Sequence, residues 1–185
     1  MRRLPAETPD GDDKKKTSVR YWLNQGYRWG VIAAGDTHDG RPGNSLFSAA
    51  DGGLAGLYVN EFSRHGVRRA LAERRVFGTN GCRALLDFET GGAAMGGVAA
   101  GGGARTLRFR VVAAGESMRV VLVKNGEEIA ARDHYVPGLW SEFTDTSGGD
   151  AYYYLRAEGD RGFYSTKSGA GRCLVWSSPI WVISP

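Results

Sequence analysis

Cysteine is scarce in this chain: only Cys82 and Cys173 occur in 185 residues, and they form no C-x-x-C pair. That count excludes a disulfide-rich scaffold, and the two thiols are expected to stay free, which favours a reducing cytoplasm. Long apolar runs are missing too. No stretch approaches the ~20 apolar residues needed to cross a bilayer. Met1-Arg2-Arg3-Leu4-Pro5 has no apolar segment behind its basic residues, so a soluble chain without a secretion signal or membrane contact is expected. Charge of one sign is also lacking. The formal net charge is +4, but basic and acidic residues alternate along most of the chain, so the balance alone identifies no acidic partner. The one concentrated patch is Arg64, Arg68, Arg69, Arg74 and Arg75, opposed by Glu73. It reads as the solvated face of a short helix. No zinc finger or RNA-binding aromatic motif accompanies it, so no nucleic acid is expected as a partner.

What is present is a globular composition, 42% hydrophobic, in a length that suits one comfortable domain or two small ones. Residues 1–17 alternate charge blocks with Pro5, Pro9 and Gly11 and have little to bury, so a mobile tail is expected. From Ser18, residues Val19, Trp22 and Leu23 fall at helical spacing, Ser18 can cap, and Gly26 can stop the helix. Next come an apolar strand over 29–34, a polar Gly-rich loop through Arg41-Pro42-Gly43-Asn44, a second apolar run over 54–59, and a helix from Ser63. That order is the grammar of an α/β layer.

After Asn80-Gly81 the period changes to two. Residues 84–88, 106–112, 118–123, 127–132, 152–157 and 180–183 read as strands, Asn125-Gly126 marks a hairpin, and 140–143 reads as an edge. Short strands at this spacing predict an antiparallel β-sandwich. The stretch Gly91 to Gly103 is read as a flexible loop rather than a phosphate cradle, because no Lys-Ser/Thr follows it. The run Trp176-Ser177-Ser178-Pro179-Ile180-Trp181 reads as an edge strand because proline interrupts it.

The chemistry is concentrated in Gly35-Asp36-Thr37-His38-Asp39-Gly40, directly behind the first apolar run. In an extended backbone, alternate side chains share a face, so Asp36 and His38 aim a carboxylate oxygen and an imidazole nitrogen at one point. That is half of a divalent-metal site. The remaining histidines, His65 and His134, are not spaced to complete it.

Three segments together closely resemble the carboxy-terminal end of PHP-domain (polymerase and histidinol phosphatase) metallohydrolases. They are Gly35-Asp36-Thr37-His38-Asp39-Gly40-Arg41-Pro42-Gly43, then Gly56-Leu57-Tyr58-Val59, and then Ala70-Leu71-Ala72-Glu73-Arg74-Arg75 with Gly78-Thr79-Asn80-Gly81. The likeness is to a bacterial branch in which a β-sandwich follows the barrel, and Tyr152-Tyr153-Tyr154-Leu155-Arg156 with the Trp176 to Trp181 run extends it to the end. The resemblance implies an α+β chain: a partial (β/α) barrel remnant at 18–82, holding the terminal βα units, followed by an antiparallel β-sandwich at 83–185. Asp36 and His38 would be the family's last metal motif, and Arg41 would contact an anionic ester substrate. Divalent Zn, Mn or Fe would bind weakly here, because the family's His-x-His and middle ligands are absent.

Two functions follow as expectations. In the first, the chain is the carboxy-terminal part of a metal-dependent phosphoester or ester hydrolase, inactive alone and completed by a partner chain that supplies the rest of the barrel. In the second, the sandwich is a non-catalytic binding or interaction module, with Trp140, Tyr152, Tyr153, Tyr154, Trp176 and Trp181 as candidate groove aromatics, although alternate residues of a sandwich must face its core. Runs 29–34 and 54–59, stripped of covering neighbours, would also promote self-association.

Overall fold

The structure, a computed structural model, describes residues 18–35, 53–159 and 172–184. Ser18 accepts the Tyr21 amide at 3.1 Å and starts helix α1 (Val19–Asn24), and Gly26, at φ +86°, takes the left-handed position that ends it. Ser63 likewise accepts from Gly66 N at 3.0 Å and starts α2 (Arg64–Ala72). Those are the helices of the described residues; strands dominate.

The expected (β/α) barrel remnant is not what forms. Strands β1 (Leu54–Leu57) and β2 (Val76–Thr79) flank α2 but pair antiparallel, whereas a barrel unit needs parallel strands joined by a crossover helix. Residues 29–34 form no strand, and only Gly35 makes an isolated bridge. Glycine explains part of the β1–β2 register: the Phe77 ring lies where a Cβ on Gly56, its cross-strand partner, would sit. The aromatic covers the glycine and seals that pair.

The remaining strands build two sheets. A four-stranded sheet runs β4 (Ala93–Ala94), β3 (Leu85–Thr90), β6 (Arg105–Val112), β9 (Ser141–Asp145). The eight-stranded sheet joins β1 and β2 to β5 (Val98–Ala100), β7 (Met118–Lys124), β8 (Glu127–Tyr135), β10 (Ala151–Gly159), β11 (Leu174–Ser177) and β12 (Ile180–Ile183). Its axis is β10, which pairs with β7 on one side and with β12 and then β11 on the other. All pairings are antiparallel except β12 with β5. The β7–β8 hairpin turns at Asn125-Gly126, both at positive φ (50° and 86°), as the dipeptide predicts.

The Ser177-Ser178-Pro179 break between β11 and β12 is internal to the sheet, not at an edge: β10 lies on one side, β2 and β5 on the other. Serine hydroxyls replace the ladder bonds that the break removes. Leu155 N donates to Ser177 Oγ at 2.9 Å, and Ser178 Oγ donates to Val76 O at 2.6 Å. Both serines are wholly buried, so these bonds satisfy groups that water cannot reach.

One core fills the space between the sheets, with Leu86, Phe88, Leu107, Phe109 and Val111 facing Val120, Leu122, Tyr153, Leu155 and Ile180. A second, smaller cluster lies on the outer face of the larger sheet, where Leu23 of α1 packs with Val121, Val123, Tyr152, Tyr154 and Trp181. The larger sheet is therefore covered on both faces over β7 and β10, which is why their burial does not alternate. Residues 18–34 form the outer cover, a strap of helix and extended chain.

Two further expectations are corrected. The glycine-rich stretch at 91–103 is folded, not a loop throughout: it contributes β4 and β5, buries Met95 and Ala99, and its Gly96, at φ +86°, touches the Arg74 backbone too closely to admit a side chain. The cysteines are not free. Cys82 and Cys173 are disulfide-bonded across 91 residues of sequence and buried at the end of the β2–β11 pair. Asn80 closes the same end, donating to Arg172 O and accepting from Leu174 N. Each cysteine lies beside one of two paired strands, a proximity that local spacing cannot encode.

A polar bolt joins the two sheets. Asp145 of β9 is 7% exposed and accepts from Lys124 Nζ of β7 at 2.7 Å, from Tyr153 Oη of β10 at 2.5 Å, and from Ser147 N and Oγ at 2.9 and 2.6 Å. Burial alone would raise its carboxyl, but the Lys124, Ser147 and Tyr153 hydrogen bonds outweigh that and hold it well below the usual carboxylate range. A carboxyl depressed in the fold adds stability above its unfolded value of about 3.9, and that stability is lost as pH falls through the folded value. Urea unfolding is therefore predicted to give a plateau above about pH 5 and a progressive loss below about pH 4. Asp145→Asn, which leaves Lys124 uncompensated, should cost about 2–3 kcal/mol at pH 7 and flatten the acid limb. An unchanged acid limb in that variant would contradict the assignment.

Candidate functional site

The sequence placed the metal-binding pair at Asp36 and His38 and a substrate contact at Arg41; all three lie outside the described residues. What the structure describes is the chain that leads to them. Val31 N donates to Ser178 Oγ at 2.9 Å, so the strap is tied to the β11–β12 break. Beneath it the sheet carries small residues. A Cβ on Gly78 would meet Ala33 and Ile32 at 3.1–3.2 Å, and one on Gly53 would meet the Ala34 backbone at 2.6 Å. These close approaches seat residues 30–34 directly on the β1–β2 end of the sheet. Gly35, the residue before Asp36, is the last one described there.

Among the described residues the strap is covered on one side. Leu23 is buried, but Ile32 is 57% exposed, Trp29 41% and Tyr27 48%. Trp22, Tyr27 and Trp29 contact one another, with ring centroids 5.2–5.9 Å apart. Rings this close fill the space between themselves and leave no cage for a ligand. The apolar character of 29–34, which suggests a doubly covered strand, thus corresponds to one face docked on the sheet and one face turned outward.

Of the other candidates, His65 and His134 are both exposed and lie on different elements, α2 and β8. Among the described residues no group of three or more His, Cys, Asp or Glu could hold a metal ion. The arginine patch is largely committed: Arg69 and Arg75 pair with Glu73 at 2.7 and 2.9 Å, and Arg74 donates to Gly96 O at 3.0 Å. Tyr152, Tyr153, Tyr154 and Trp181 are buried, Trp176 is half-buried, and Trp140 is exposed. Four of the six groove aromatics are therefore packing residues.

The sequence reading passed over the Lys124–Asp145–Ser147–Tyr153 cluster. Its Ser147 Oγ lies 2.5 Å from Lys124 Nζ, the spacing of a serine nucleophile and a lysine base. The chemistry does not follow, because Asp145 holds the lysine as its ion-pair partner and is itself too acidic to take a proton. A signal was available: Asp145 falls on the inward side of β9, two residues after Phe143, where alternation calls for an apolar residue. An open cleft of about 540 Å³ also lies between the end of α1 and β12, lined by Leu23, Asn24, Asn125, Tyr152 and Trp181. There the Tyr152 hydroxyl, pushed up to about 12 by burial, donates to Asn24 Oδ1 at 2.7 Å, so the cleft's main polar pair joins strap to sheet.

Comparison with known proteins finds two uncharacterised proteins from Chlamydia. The chain is 23% identical over 203 residues to one from Chlamydia muridarum (strain MoPn / Nigg), covering 97% of this chain and 30% of that protein. It is 25% identical over 201 residues to one from Chlamydia pneumoniae, covering 97% of this chain and 31% of that protein. The chain thus spans about 30% of the length of the relatives it matches. No family model and no solved structure matches it. Among the described residues no helix is long and apolar enough to cross a membrane.

Proposed function

We propose that this chain is one part of a metal-dependent phosphoester or ester hydrolase, contributing Asp36 and His38 as two ligands of a Zn, Mn or Fe centre and Arg41 to an anionic substrate. The observation that carries the reading is the half-covered strap. The run leading into Asp36 is seated on the sheet by close glycine contacts and by Ser178, yet Trp29 and Ile32 turn an apolar side outward. Such a surface supports a further body packed over the strap, a place from which the missing ligands would come. The span of the Chlamydia relatives, about 70% of which lies outside the match, supports the same arrangement. That body is another part of a longer chain or a separate partner; in its absence a second copy of this chain is the available cover, which underlies self-association.

A bound divalent ion would supply a water acidified towards neutrality and charge to hold the ester oxygens. This chain's own share is limited to one carboxylate, one imidazole and one guanidinium. Catalytic metal centres take three or more protein ligands, so two bind weakly. In metal-stripped protein, Mn or Zn titrated calorimetrically is expected to bind weakly, and Asp36→Ala or His38→Ala should weaken it roughly tenfold or more. No phosphodiester or carboxylic-ester hydrolysis is expected from the chain alone. Binding indifferent to both substitutions, or metal-stimulated turnover by the isolated chain, would defeat the proposal.

The compartment is a separate matter. The cytoplasmic expectation rested on free thiols, and the buried Cys82–Cys173 bond supports an oxidising compartment instead. Thiol titration of the natural protein, denatured without reductant, should detect no free thiol; two per chain would restore the cytoplasmic reading.

A further inference from the structure

We propose that the outward face of helix α2, with Phe62 at its tip, docks on an anionic lipid bilayer. The inference does not depend on the metal-site reading.

The seating of the helix decides which residues are left outside. Gly66 and Ala70 are buried, so the other side of the helix carries Arg64, Arg68 and Leu71, which share one face at i, i+4 and i+7. All three are exposed. Phe62, the residue before the Ser63 cap, is 98% exposed. At that position an apolar side chain ordinarily folds down onto the fourth residue of the helix, here Val67. An exposure this high leaves no such contact.

The turn before the helix is itself ordered. Ser63 N donates to Glu61 O at 2.9 Å, Ser63 Oγ donates to Glu61 Oε1, and Glu61 O lies where a Cβ on Gly66 would sit. Glu61 is thus folded back on the first turn of α2, and Phe62 is held between it and the cap. A ring on an ordered backbone loses little freedom when it inserts.

Charge decides the occupant. Glu73 takes Arg69 and Arg75, at 2.7 and 2.9 Å, while Arg74 turns onto the Trp181 ring and Gly96 O. Glu61, the other carboxylate here, is bonded to Ser63 and pairs with neither remaining arginine. Arg64 and Arg68 therefore have no counter-ion among the described residues, and the outward face keeps an excess of positive charge. Two uncommitted guanidiniums one helical turn apart match lipid phosphates, but they are few for a nucleic-acid backbone, whose binding sums many phosphate contacts. Phosphate alone would also leave Phe62 and Leu71 in water. A bilayer satisfies both kinds of group. With the helix lying flat, Arg64 and Arg68 meet the headgroups, while Phe62 beyond one end of the pair and Leu71 beyond the other enter the acyl boundary.

The test cosediments the 185-residue chain with large unilamellar vesicles, of phosphatidylcholine alone or mixed with phosphatidylglycerol. Binding is expected to the mixed vesicles, falling as salt is raised, and not to the neutral ones. Phe62→Ser and the double variant Arg64→Gln/Arg68→Gln should each weaken it by roughly tenfold. Arg28→Gln/Arg83→Gln, which removes the same charge from exposed positions elsewhere, should bind as the parent does. Thermal melts by circular dichroism should match the parent, because the altered side chains are exposed; should Phe62→Ser melt early, the arginine variants carry the comparison. No binding to mixed vesicles at millimolar lipid would overturn the proposal, as would equal binding to neutral vesicles or equal losses in the two arginine doubles. So would tighter binding to a DNA duplex at equal phosphate concentration, or a dimer that Phe62→Ser dissolves with no lipid bound.

Discussion

The larger sheet is apolar on both of its faces, and most of the architecture follows from having to keep both from water. The inner face finds its cover in the four-stranded sheet. The outer face, where Val121, Val123, Tyr152, Tyr154 and Trp181 stand, has no second sheet among the described residues, and the strap takes that place through Leu23. Burying an aliphatic or aromatic side chain contributes on the order of 2 kcal/mol, so a cluster of this size easily justifies ordering a short helix. The strap's continuation is then fixed by backbone chemistry: small residues at Gly78 and Gly53 admit it, and the Ser178 hydroxyl, freed by the proline break, receives its Val31 amide. The path of the strap in turn sets where the chain stands as it approaches Asp36.

The two sheets are joined by more than apolar contact. Asp145 reaches across from the smaller sheet to Lys124 and Tyr153 on the larger, and a buried charge satisfied by several donors fixes one relative placement of the sheets where apolar packing alone tolerates several. The disulfide does similar service at the far end of the β2–β11 pair, closing a segment of 91 residues. The bolt and the staple are held by different chemistry at different places, so acid and reductant would loosen different parts of the fold.

Local rules read local features well. The caps at Ser18 and Ser63, the stop at Gly26 and the hairpin at Asn125-Gly126 are all set within a few residues, and all were legible. Alternation along Leu107, Phe109 and Val111 located β6 for the same reason. Residues 29–34 misled because an apolar run specifies burial but not the partner. A strand paired in a parallel sheet and a strap lying on a sheet's face need the same residues. The barrel expectation failed at that point and again at β1 and β2, where helix-flanking strands pair antiparallel, a choice made by register with the sandwich. The 91–103 stretch was misread because glycine was taken as freedom, where Gly96 supplies close approach to Arg74. Asp36, His38 and Arg41 are chemistry read from the sequence alone and lie outside the described residues, whereas Trp140 was legible only as one of several aromatics. Its exposure depends on which strand face it occupies, and that is known once β9 is in register with β6.

The cover of the outer face depends on the strap being docked, and the amide of Val31 reports that most directly. Hydrogen exchange followed by NMR should find Val31 N–H, bonded to Ser178 Oγ, protected well above the amide of Arg28, which has no hydrogen-bond acceptor among the described residues. In Ser178→Ala that protection should fall while the amides of β10 keep theirs. A Val31 amide that exchanges at the rate of an unstructured chain in the parent protein would contradict the strap, and with it the placement of everything that follows toward Asp36.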